Sequence, residues 1–126
     1  MRFFICERCG NMVEMIKESG VSVVCCGQNM TECIPGTSDG DKEKHVPVVS
    51  VCKNMVCVEV GEKEHPMEDD HYIEWIIIET TNGMHKKCLR PGCKPKAEFF
   101  LSKDEKVENV YAYCNKHGLW GHSVNC

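Results

Sequence analysis

Long apolar runs, net charge and helical periodicity are all scarce in this chain of 126 residues. The longest unbroken apolar run is Val110–Cys114, five residues, with Trp75–Ile78 at four, against the ~20 that a bilayer-crossing helix needs. The opening MRFFICERCG carries one Arg and reaches a cysteine at position 6, so it lacks the apolar stretch of a secretory leader. A formal charge of −4 gives no electrostatic footprint for nucleic acid. These absences set the first expectations: no membrane, no nucleic acid, a cytoplasmic location. No stretch has a convincing helical pattern beyond a turn near Pro66–Asp70.

The composition is globular, with 27% charged and 42% apolar residues. The length suits one ordinary core, or one domain plus a small stapled module. Against that background, eleven cysteines are the anomaly. In a reducing compartment, clustered cysteines are more often metal ligands than disulfides.

The first cluster lies within residues 1–35. Cys6-Glu-Arg-Cys9-Gly10 is a knuckle whose two-residue spacing turns both sulfurs inward, and Gly10 can take the positive φ of such a turn. The vicinal pair Cys25-Cys26 follows, with Met12–Lys17 and Val21–Val24 read as short strands between. The spacing C-x2-C-x15-C-C fits a mononuclear tetrathiolate site and leaves iron and zinc equally open. Adjacent cysteines cannot spread their sulfurs like a second C-x-x-C, so a distorted tetrahedron is expected.

The turn-rich stretch Pro35-Gly-Thr-Ser-Asp-Gly40 reads as a linker. Beyond it the pattern is strands: Val46–Val51, Val56–Val60, Tyr72–Thr80, Met84–Cys88, Ala97–Leu101 and Val107–Cys114, with Thr81-Asn82-Gly83 as a hairpin signal. This spacing predicts an antiparallel β-sandwich. The last of these strands runs into Cys114-Asn-Lys-His117-Gly118, which sets a thiolate and an imidazole at the end of one rigid element. With His45, His65 and His71 upstream, one soft sulfur and several imidazoles suit iron, copper or zinc better than magnesium or calcium.

Three signatures in order, Glu43-Lys44-His45-Val-Pro, His65-Pro-Met-Glu-Asp-Asp-His71 and Cys114-Asn-x-His117-Gly-Leu-Trp120, follow the Cys6, Cys9, Cys25, Cys26 set. Together they resemble the desulfoferrodoxins, the two-iron superoxide reductases, over nearly the whole chain. The resemblance implies an all-β protein: a desulforedoxin-like Fe(Cys)4 module over 1–36, a linker over 37–41 and an immunoglobulin-like sandwich over 42–126. It implies two irons per chain, with zinc as a possible substitute in the first centre. The second would be held by His45, His65, His71 and His117 in a plane, with Cys114 axial. It further implies superoxide as substrate, reduced by one electron to hydrogen peroxide, with Lys44 supplying positive charge and help in protonation. Glu43 would occupy the open position once iron is ferric. A rubredoxin-like donor and a homodimer complete the family picture.

Several features stay outside these signatures. His85 and His122 read as surface or structural, and Glu68-Asp69-Asp70 as a solvated turn without calcium-loop spacing. Trp75 and Trp120 read as core or rim residues. The basic run Lys86, Lys87, Arg90, Lys94, Lys96 reads as an exposed hairpin before it reads as a dock for an acidic donor. Cys33, Cys52, Cys57, Cys88, Cys93 and Cys126 have no role in the family and are expected as free thiols. Two competing readings, a pure electron-transfer protein and a structural zinc protein, leave the open four-His, one-Cys set unexplained.

Overall fold

The computed structural model describes residues 1–124. It divides into two compact units, Met1–Ile34 and the chain from Pro35 onward. Both are built almost wholly of antiparallel strands.

In the first unit, β1 (Phe3–Ile5) lies between β2 (Met12–Glu14) and β5 (Thr31–Cys33). Arg2 ties the sheet ends together through two bonds of 2.8 Å to Glu32, and it also pairs with Glu18. The apolar interior is little more than Phe3, Cys6 and Met30, too small a core to hold a fold unaided. The remaining strands, β3 (Val24–Cys25) and β4 (Gln28–Asn29), form a hairpin closed by Cys26 and Gly27. Both turn residues have positive φ, +51° and +74°, as a two-residue hairpin turn of this kind requires. The strand expected over Met12–Lys17 stops at Glu14, and the one expected over Val21–Val24 is reduced to β3.

The second unit is a sandwich of a three-stranded and a four-stranded antiparallel sheet. Its strands are β6 (Pro47–Cys52), β7 (Met55–Val60), β8 (Ile73–Thr80), β9 (Gly83–Cys88), β10 (Lys96–Phe100), β11 (Val107–Cys114) and β12 (Gly118–Ser123). The sheet orders are β10-β7-β6 and β12-β11-β8-β9. Alternation decides what is buried: Val56, Val58 and Val60 of β7 face Ile76 and Ile78 of β8 and Val110 and Ala112 of β11 in one core. Lys87 places its Nζ over the ring of Phe99, 5.9 Å from the centroid, so one member of the basic run meets the edge of that core.

Two elements differ from expectation. Lys42–His45 is a short helix, α1, where no helical pattern was expected. A single turn is too short to show periodicity in sequence. It is fixed from outside, where the Lys63 N–H donates to the Glu43 carbonyl at 2.9 Å and Gly61 lies against its backbone. The second difference is β12, whose Gly118 and Gly121 disguise a strand that pairs with β11 over its full length.

Candidate metal centres

One end of the sandwich collects four of the chain's six imidazoles. β6 begins there just after α1, β7 ends there, β8 begins there, and β11 turns there into β12. His45 therefore closes α1, His65 and His71 hang in the β7–β8 loop, and Cys114 ends β11. His117 sits in the three-residue turn before Gly118, whose φ of +77° suits glycine.

These five side chains, His45, His65, His71, Cys114 and His117, offer ligand atoms that all lie within 4.8 Å of one another. The rings stand around a common centre. Neighbouring centroids are 4.6 Å (His45–His65), 4.8 Å (His65–His71), 5.1 Å (His71–His117) and 4.8 Å (His117–His45) apart, each pair steeply inclined. Across the centre, His45 and His71 are 6.5 Å apart and closer to parallel, at 29°.

The tautomers are set by the backbone. His45 Nδ1 lies 2.7 Å from the Asp41 carbonyl and His65 Nδ1 2.7 Å from the Pro66 carbonyl. A carbonyl can only accept, so each Nδ1 carries the proton and each Nε2 presents a lone pair. Those two Nε2 atoms face each other at 3.1 Å, and His45 Nε2 is also 3.1 Å from His117 Nδ1. Burial, the leading cause for both, lowers the proton affinity of His45 and takes that of His65 to about 4, so both rings stay neutral at pH 7. His71 is lowered too, again chiefly by desolvation. Its Nε2 is buried with no hydrogen-bond partner, the only such side-chain nitrogen or oxygen among the described residues. Lone pairs aimed at one another and an orphaned buried nitrogen fit a cation at the centre, and the four-nitrogen, one-sulfur donor set fits ferrous iron.

Supporting contacts hold the turn. The His117 N–H donates to Cys114 Sγ at 3.4 Å, while burial, the dominant influence, raises the pKa of that thiol. Trp120 donates from Nε1 to the His117 carbonyl at 3.0 Å and stacks on His45 with centroids 4.9 Å apart. Ser38 donates to the same carbonyl, and a Cβ on Gly40 would stand 3.1 Å from His45 Cε1. The stretch read as a linker thus lines this site. Glu43 and Lys44 project from α1 into solvent, Glu43 meeting Lys63 Nζ at 3.0 Å.

In the first unit, the sulfurs of Cys6, Cys9, Cys25 and Cys26 also lie within 4.8 Å of one another. The left-handed backbone at Cys26 is what lets adjacent cysteines converge. The Cys9 backbone N–H, first among several donors, draws the Cys6 thiol down to about 6. Hydrogen bonding to Cys9 and Cys6 pushes Cys26 up to about 12, and Cys25 is raised by the same neighbours. Four sulfurs crowded this way share protons unless a cation replaces them.

Other side chains singled out by sequence lie apart from both clusters. His85 pairs with Glu105 at 3.1 Å, and His122 lies exposed on β12. Cys33, Cys52, Cys57, Cys88 and Cys93 are free thiols, and Cys126 lies outside the described residues. No described helix is long and apolar enough to cross a membrane. Sequence reasoning missed Asn115 and Gly61, whose contacts are long-range and carry no local signature.

The desulfoferrodoxin family model matches residues 37–123. A desulfoferrodoxin homolog of Archaeoglobus fulgidus is 47% identical over 120 residues, covering 95% of this chain and 94% of its own. Among solved structures, the superoxide reductase from Treponema pallidum superposes with a TM-score of 0.79 at 37% identity, covering 90% of this chain and 93% of that one. The one-iron superoxide reductase from Giardia intestinalis is covered entirely and matches 68% of this chain, with a TM-score of 0.57 at 32% identity.

Proposed function

The chain belongs to the desulfoferrodoxin family, and from that premise we propose that it is a superoxide reductase, converting superoxide, one electron and two protons to hydrogen peroxide. The observation that carries this reading is the convergence of four imidazoles and one thiolate on a common centre, with ring nitrogens directed inward by backbone carbonyls. Ferrous iron bound there would supply the electron.

The protein's own part follows from its charges. Neutral imidazoles leave the cation's charge undiminished, which attracts a small anion. Cys114 would contribute the one anionic donor and raise electron density on bound iron, as a thiolate ligand does in haem enzymes. Lys44, exposed one residue before His45, draws superoxide inward, and its Nζ carries a proton for delivery to the reduced substrate. Glu43, the other candidate catalytic residue, has an exposed carboxylate that would serve as a further anionic donor to the iron once it is ferric.

The remaining assignments belong to the same proposal. Residues 1–36 form the Fe(Cys)4 module, 37–41 the connection and 42–126 the reductase domain. The electron comes from an outside donor such as a rubredoxin, and the working unit is a cytoplasmic homodimer. Two irons are taken per chain, zinc being tolerated in the first site. Superoxide consumption against peroxide yield tests the central claim: reduction gives one peroxide per superoxide. A yield of half that would mean dismutation and would overturn the assignment.

A further inference from the structure

Of the four rings at the sandwich end, His71 has the weakest local anchorage. His45 and His65 are pinned through Nδ1 to carbonyls. His117 sits in a tight turn whose carbonyl is held by Trp120 and Ser38. His71 lies near the far end of the long β7–β8 loop, six residues beyond the anchored His65. Its backbone bonds are reciprocal ones to Glu68, 2.9 and 3.1 Å, which shape that turn but attach it to nothing else. Yet its Nε2 is buried and directed into the cluster.

What attaches the His71 end of this loop to the β11–β12 turn is Asn115, next in sequence to Cys114. Its Oδ1 accepts from the Tyr72 N–H at 2.9 Å, and its Nδ2 donates to the Asp70 carbonyl at 3.0 Å. Its own backbone N–H donates to the Tyr72 carbonyl at 3.2 Å. Three bonds thus grip the two residues that flank His71. A side-chain amide carries donor and acceptor on one short stem. Aspartate keeps only the acceptor, and glutamine is a methylene too long. A further link between Asp70 and this turn, Lys116 Nζ to Asp70 Oδ2 at 3.9 Å, is exposed and contributes little.

We propose that Asn115 is a positioning residue, which fixes His71 in register with Cys114 and His117 so that all five donors meet one cation. This rests on reading the cluster as a metal centre. It assigns Asn115 no contact with substrate or metal. It makes the β7–β8 loop and the β11–β12 turn one unit, joined across 43 residues of sequence.

The test is competition between the full-length protein and a chelator for Co2+, whose bands distinguish a thiolate–imidazole site from the tetrathiolate site. Asn115→Ala should weaken Co2+ binding at the five-donor site by about 10- to 100-fold, the usual effect of losing an outer-shell partner. The Cys6, Cys9, Cys25, Cys26 site should bind as before and serves as internal reference. Asn115→Asp, which retains the bond to the Tyr72 N–H, should fall between, and it decides the matter if the alanine variant does not fold. Because the two act through one ligand, His71→Ala should lose no further affinity when Asn115→Ala is added. Native affinity in Asn115→Ala, or losses that add in the double variant, would overturn the inference. If His71→Ala alone leaves Co2+ affinity unchanged, the metal-centre reading itself fails, and the inference with it.

Discussion

Gly61 sets how closely α1 can approach the sandwich. A Cβ built there would stand 2.5 Å from the Glu43 carbonyl oxygen, 2.7 Å from the Lys44 carbonyl carbon and 3.0 Å from the His45 nitrogen. All three are backbone atoms, so no side chain can swing aside. To reach ordinary contact, α1 must retreat by about 1 Å. The retreat carries His45 with it, because Asp41, which orients the ring, sits at the start of the same turn. Ligand positions are held to about 0.2 Å in a working site, so this shift exceeds the tolerance several-fold. Gly61→Ala should therefore destabilise the metal-free protein by about 1–3 kcal/mol through overpacking. It should also weaken metal binding at the five-donor site well beyond that of a matched control. Gly92→Ala is that control: its φ of +89° makes alanine costly, yet no atom lies within 4 Å of the added Cβ. Thermal melts of metal-free protein, with chelator competition for Co2+, read both effects. Equal metal affinity in the two variants would refute the claim that Gly61 acts through His45.

Two further outcomes follow from the site's chemistry. Cys114→Ser should abolish the thiolate-to-iron absorption band and lower superoxide turnover by at least ~10-fold, with the sandwich intact by circular dichroism; unchanged turnover would defeat the proposed role of the sulfur. The pH dependence of the metal-free protein has a definite sign, because His65 is depressed from 6.5 to about 4 and His45 and His71 are lowered as well. Between those values the unfolded chain binds more protons than the folded one, so stability should fall as pH drops from about 6.5 to 4 and level off above, by up to about 3 kcal/mol for His65. Melting temperatures that stay flat across that window would contradict the burial of the cluster.

The ligands were legible in the sequence because their chemistry is rare: few residue types bind soft cations, and they recur at turn and strand-end positions. Most strands of the sandwich were legible too, since Ile73–Thr80 and Val107–Cys114 carry β-branched and aromatic residues in alternation. What escaped notice was whatever depends on distant contacts. α1 is one turn, stabilised by Lys63 and by the absence of a side chain at Gly61. Strand β12 is written Gly-Leu-Trp-Gly-His-Ser and owes its pairing to β11. Asn115 stood in the Cys114-Asn-x-His117 signature without a role, since its partners Asp70 and Tyr72 lie in another loop. The left-handed Cys26 likewise shows in sequence only as one half of a vicinal pair.

Two of the four rings, His45 and His65, owe their orientation to carbonyl groups of the chain itself rather than to any ion. A socket assembled in advance gains speed and strength of uptake, but it gives up a means of discrimination, because no refolding step is left at which an unsuitable cation would be turned away. Imidazole and thiolate donors hold zinc or copper at least as firmly as ferrous iron. Correct loading then depends on which ions the cell leaves free while the chain is being made. Preparations from a zinc-rich expression host should accordingly be folded, stable and colourless.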